Sequence, residues 1–128
     1  MTRLRPLLAA AVLVLAGCSG VGGKSEEDKV KDVVNQFVAA GNARDFAKVC
    51  DLLTEQMRAV QGGKQCEANF KTRAGGAKSH TQIEITDVRI SGTQAAVDAK
   101  LRNGKNPASE QQLLLQKQHG EWRVATAQ

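Results

Sequence analysis

The chain has 128 residues, 41 % of them hydrophobic and 24 % charged, with a formal net charge of +5. That composition fits one soluble domain and excludes a disordered or fibrous chain. Aromatics make up 3 % (Phe37, Phe46, Phe70 and Trp122) and tyrosine is absent, which argues against the stacked-ring platforms of single-strand nucleic-acid binders and removes every tyrosine-based catalytic mechanism.

The first segment reads as an export signal. Arg3 and Arg5 form a positive start, and Leu7 to Ala16 is an unbroken apolar run. A membrane span needs about 20 such residues, so the run suits the core of a secretion signal. It ends in Leu15-Ala16-Gly17-Cys18, which resembles the lipobox of bacterial lipoproteins. The resemblance implies diacylglyceryl transfer to the Cys18 thiol, cleavage between Gly17 and Cys18, palmitate-type acyl chains, and anchorage to the extracytoplasmic side of the cell membrane. The other reading is a plainly secreted protein cut nearby, with Cys18 a free thiol. Residues 1–17 are then the signal peptide, and their removal lowers the net charge from +5 to +3. The remaining lysines and arginines are interspersed with acids, as on a mixed solvated surface. Nucleic acid is not an expected partner.

Residues 18–25 form a lipidated cysteine followed by a flexible tether, because Ser19 to Ser25 is small, polar and glycine-rich. Gly23-Lys24-Ser25 matches the end of a phosphate-loop pattern, but Cys18 stands where its first glycine belongs and no strand precedes it. The folded domain is expected over 26–128.

Ser25-Glu26-Glu27-Asp28 has the form of a capping box with acids in the first turn. Behind it Val30, Val33, Val34, Phe37 and Val38 follow helical spacing. This predicts a first helix over about 26–40, closed by Gly41-Asn42. A second helix is expected over about 44–53, with Phe46, Val49, Cys50 and Leu53 on one face. Thr54 can cap a further turn holding Met57 and Val60, which Gly62-Gly63 breaks. A last helix over about 64–73 puts Cys66 and Phe70 on one side.

With Cys18 lipidated, Cys50 and Cys66 remain as a pair in an oxidising compartment, where a disulfide is the natural state. It would staple the second helix to the last. A catalytic thiol would want a histidine partner, and His80 and His119 both lie near turns.

From Thr81 the period changes to 2. Ile83 and Ile85 differ in parity from Val88 and Ile90, which points to a β-bulge near Thr86-Asp87. Ala95, Val97, Ala99 and Leu101 alternate in a second strand. Asn103 to Pro107 is turn chemistry, and Ser109 to Gln118 is a third strand around Leu113-Leu114-Leu115. His119-Gly120 turns the chain into a last strand, with Trp122, Val124 and Thr126 expected on one face. Helices followed by a meander give an α+β fold: N-terminal helices packed on a curved four-stranded antiparallel sheet.

The first helix, the stretch Asn42-Ala43-Arg44-Asp45-Phe46-Ala47-Lys48-Val49-Cys50-Asp51-Leu52-Leu53 and the closing Gly120-Glu121-Trp122-Arg123-Val124 resemble the nuclear transport factor 2-like superfamily, in particular its small bacterial lipoproteins. The resemblance covers roughly 26–127 and implies a sheet wrapped around the first helix as a cone. No hairpin separates the second helix from the last, so a reduced cone is expected, with Val34, Phe37, Val38 and Trp122 as cavity lining. The superfamily includes isomerases, dehydratases and cyclases as well as non-catalytic members.

An isomerase-type site needs a carboxylate facing an oxyanion donor, commonly tyrosine, and cannot be carried over here. Among the other candidates for acid/base work, Asp45 sits where a helix cap belongs and Asp87 at a bulge. Asp98 alternates out to solvent, and His80 lies in a loop. No catalytic residue, cofactor or metal is assigned, since neither H-E-x-x-H nor C-x-x-C spacing occurs. The expectation is a non-enzymatic, membrane-anchored module that binds a small apolar ligand, a peptide or an envelope protein. The alternatives are a small cone-type lyase or isomerase with an inward carboxylate, and a homodimer formed through strand Ser109 to Gln118.

Overall fold

The computed structural model describes residues 23–78 and 80–127. The signal segment, Gly17 and the lipidation candidate Cys18 lie outside the described residues.

Helix α1 spans Glu26–Asn42, and the Ser25 side chain accepts from the Asp28 amide at 3.1 Å. Gly41 does not close it as expected. The helix continues to Asn42, and the left-handed residue that turns the chain is Arg44, at φ 58°. The reason is tertiary: the Arg44 guanidinium donates to the carbonyls of Gly75 and Ala77, which holds the residue in a region that side chains other than glycine seldom adopt.

Helix α2 is shorter than predicted, Phe46–Asp51, because Asp45 takes the cap and accepts from the Lys48 amide. Thr54 caps α3, Glu55–Val60, as expected. The last predicted helix splits into a 3-10 turn, Gly63–Gln65, and α4, Cys66–Ala74. Gly62, just before the turn, and Gly63, its first residue, both take positive φ. Cys50 on α2 and Cys66 on α4 stand at disulfide-bonding distance, with Cα atoms 6.2 Å apart. Phe46 and Phe70 stack alongside at 6.2 Å between centroids.

Strands β1 (Thr81–Ser91), β2 (Gln94–Asn103), β3 (Ser109–Gln118) and β4 (Glu121–Ala127) form an antiparallel meander in the order β1-β2-β3-β4. The predicted bulge is present: the register passes from Ile85 opposite Ala99 to Asp87 opposite Asp98, skipping Thr86. A second bulge lies in β4, where Val124 faces Leu115 and Thr126 faces Leu114. The extra residue, Ala125, moves Thr126 to the opposite face from Trp122 and Val124, correcting the expectation that the three share one face. The outer edge of β4 is covered by Leu52–Thr54, with Val124 N–H donating to Leu52 at 2.7 Å and Thr54 N–H donating to Val124 at 2.9 Å. That contact covers the middle of one sheet edge.

The main core places Val30 and Val34 against Ala95, Val97, Leu113, Leu115 and Trp122. A second cluster holds the cysteine pair with Leu53 and Val124, and Phe37 and Phe70 pack against it. Val33 touches both clusters. Every residue of both clusters lies between Val30 and Val124, so a chain that begins at Ser19 keeps both.

Candidate functional site

Helix α1 runs along the inner face of the sheet, and its two ends differ. At its start, Glu26 is gripped from the far end of the meander. One carboxylate oxygen accepts from Trp122 Nε1 at 2.8 Å and from Lys117 Nζ at 3.0 Å, and the other accepts from Lys29 at 3.1 Å. Lys117 also lies 5.8 Å from the Trp122 ring centroid. These bonds to Lys117, Trp122 and Lys29 hold the Glu26 carboxyl down to about 2. Next to this clasp the interior is filled. Val34 is 0 % exposed and Trp122 4 %, so two of the four expected cavity residues are core.

At the other end of α1 the interior opens. A groove of about 320 Å³ is lined by Phe37, Val38, Phe46 and Leu101 with Asn42, Arg44 and Thr81 among its polar residues. That volume is at the small end of small-molecule sites, which run from about 300 to 1,000 Å³. Phe37 and Val38, the other two expected lining residues, are therefore on it. Asn42, one of its lining residues, bonds twice to β1: its amide donates to Thr81 O at 2.8 Å and its carbonyl accepts from Thr81 N–H at 2.9 Å. The side chain thus mimics one more strand pairing and joins the end of α1 to the start of β1. Arg44 forms the rim, bonded to Gly75 and Ala77 and lying 5.4 Å from the Phe46 ring centroid.

The acid/base candidates do not meet in this groove. Asp45 caps α2, His80 is exposed, and Asp87 follows the bulge on the outer side of the sheet. Asp98 also lies on that outer side, paired with Arg89 at 2.6 Å and Gln112 at 3.5 Å. Arg89 holds the Asp98 carboxyl below its ordinary range, the opposite of the raised carboxyl an acid/base catalyst uses. Among the described residues Thr54 is the buried polar side chain and no carboxylate is buried. Within the same residues no group of three or more His, Cys, Asp or Glu is placed to hold a metal.

Asn42, Arg44 and the Glu26–Trp122–Lys117 clasp do not stand out by sequence pattern. One signal was available: Lys117 shares parity with Leu113 and Leu115, and a cation on the buried face of a strand needs a partner.

No family model matches the chain, and no curated protein matches it. Solved structures do. A nuclear transport factor 2-like protein of unknown function from Shewanella baltica aligns over 82 % of this chain and 94 % of its own, with a TM-score of 0.58 and 13 % identity. A second such protein, from Pseudomonas putida, aligns over 82 % of this chain and 87 % of its own at 0.57 and 12 %. A SEC-C motif-containing protein from Rhodopseudomonas palustris covers 83 % and 92 % at 0.51 and 15 %. At such identities the likeness speaks for the fold, and together with the order of helices and strands it shows that this chain has a nuclear transport factor 2-like fold.

Proposed function

We propose that the protein is a non-enzymatic lipoprotein, anchored through Cys18 on the extracytoplasmic side of the cell membrane, that binds a small apolar ligand in the groove at the C-terminal end of α1. The observation that carries the binding half is the contrast within one interior. The space beside Val34 and Trp122 is packed, while Phe37, Val38, Phe46 and Leu101 leave about 320 Å³ open beside three polar residues. The anchor rests on the segment Leu15-Ala16-Gly17-Cys18 and on the short tether behind it.

The test uses the chain from Ser19, purified without detergent, and the fluorescent apolar probe N-phenyl-1-naphthylamine. Saturable binding is expected, weakened at least about tenfold in Val38→Asp, which places a charge on the groove wall. A probe that does not bind saturably, or binds Val38→Asp equally well, removes the groove from consideration. Metabolic labelling of the full chain with palmitate, compared with Cys18→Ala, tests the anchor separately: labelling that persists in the variant rules it out.

A second reading has its own observation. On the outer face of the sheet, Arg89, Ala96, Leu114 and Ala125 line a shallow depression of about 330 Å³, and Leu114 is the member of the Leu113-Leu114-Leu115 run that the core does not cover. A second copy of the chain seated there would account for it. Sedimentation that shows a strict monomer at high concentration excludes this.

A further inference from the structure

The groove carries a cation at its rim, and the described residues place no acid against it. Arg44 lines the groove with Phe37, Val38, Phe46 and Leu101, and its hydrogen bonds go to the backbone carbonyls of Gly75 and Ala77. Among the described residues no carboxylate pairs with it, whereas Arg58 and Arg123 each have one and Arg89 has two; Arg73 and Arg102 share that lack, but neither lines the groove. The nearby C-terminus of α1 supplies only a partial negative charge. A guanidinium presents five N–H donors in a planar fork, and the two carbonyls occupy two of them. What remains is a charged donor edge beside apolar surface, the setting in which a carboxylate is held by paired hydrogen bonds. Three contacts set the direction of that edge. Arg44 keeps φ 58°, and the two carbonyl bonds and the Phe46 ring set the direction of the side chain.

Building on the groove reading above, we propose that the ligand is an amphipathic anion: a free medium-chain carboxylate, with its head on Arg44 and its hydrocarbon body along Phe37, Val38 and Leu101. The small volume favours one short chain over a whole membrane lipid.

The experiment displaces N-phenyl-1-naphthylamine from the chain beginning at Ser19 with decanoate or with decanol, which has the same body and no charge. Decanoate is expected to bind about tenfold tighter or more, the scale of one charge-assisted hydrogen-bonded pair, and added salt should narrow the gap. Arg44→Gln should abolish the preference, read as the ratio of decanoate to decanol affinity, and Arg44→Lys, which keeps the charge but loses the planar fork, should keep only part of it. Should Arg44→Gln fail to fold, the wild-type preference, its salt dependence and Arg44→Lys still decide the matter. Equal affinity for the two ligands overturns the anion proposal and leaves the groove standing. Displacement by neither overturns the groove itself. Retention of the protein on phosphatidylglycerol vesicles, uncontested by decanoate, overturns the proposal in favour of a lipid surface.

Discussion

The two halves of α1 carry one apolar spacing and meet different surroundings. Val30 and Val34 face Leu113, Leu115 and Trp122, whose side chains fill the space so that both valines are 0 % exposed. Three and four residues beyond Val34, Phe37 and Val38 line the groove with Leu101 and Ala77, and both stay half-buried, Phe37 packing also against the cysteine-pair cluster. The helix is the same, so the difference comes from what stands opposite. Bulky residues on β3 and β4 close one end, whereas Asn42 and Arg44 hold the other open by bonding to backbone. An amphipathic stripe therefore marks which face turns inward, but not whether the interior it meets is full.

Three changes would break or sharpen this contrast. Trp122→Ala removes the largest side chain from the filled end and should lower the unfolding free energy by about 3–5 kcal/mol, read by chemical denaturation of the chain from Ser19. A loss below about 1 kcal/mol would mean that this end is not the packed one. Cys50→Ala with Cys66→Ala unties α2 from α4, the pair that carries Phe46 and Phe70 beside the groove. A loop of this length predicts a loss of about 3 kcal/mol, and probe binding should weaken along with stability. If binding is unchanged, the Phe46–Phe70 stack holds the wall without the bond.

The smallest effect concerns acid. The Glu26 carboxyl, held at about 2 by Lys117, Trp122 and Lys29, has an ordinary value of 4.5. Its contribution is therefore fully present above about 4.5 and lost as pH falls toward 2. Glu26→Gln should flatten the fall in stability across that window and leave probe binding at the far end of α1 untouched. A variant as acid-sensitive as the wild type there would show that the clasp contributes nothing.

Much of the fold was legible because it is written in local periods. The α1 stripe, the cap at Ser25, the parity slip at Thr86 and the turn at His119-Gly120 are each fixed by neighbours in sequence. The second bulge was not legible: Trp122, Val124 and Thr126 alternate cleanly, and the extra residue is imposed by pairing with β3. The end of α1 was misread for a related reason. Gly41 has the composition of a terminator, but Arg44 turns the chain through contacts more than thirty positions away. The groove was half legible, since spacing identifies Phe37 and Val38 but cannot separate them from Val34. Its polar residues were beyond reach, because Asn42 and Arg44 act on backbone, and backbone partners leave no mark on residue type.

The direction of α1 also sets a geometry of reach. The helix has 17 residues, which at 1.5 Å each is about 26 Å from the clasp to the groove. Under the proposed anchor, the eight residues from Cys18 to Ser25 add at most about 29 Å. If both the anchor and the groove proposals hold, the groove would lie within about 55 Å of the bilayer, and any ligand it took would come from that shallow layer above the membrane.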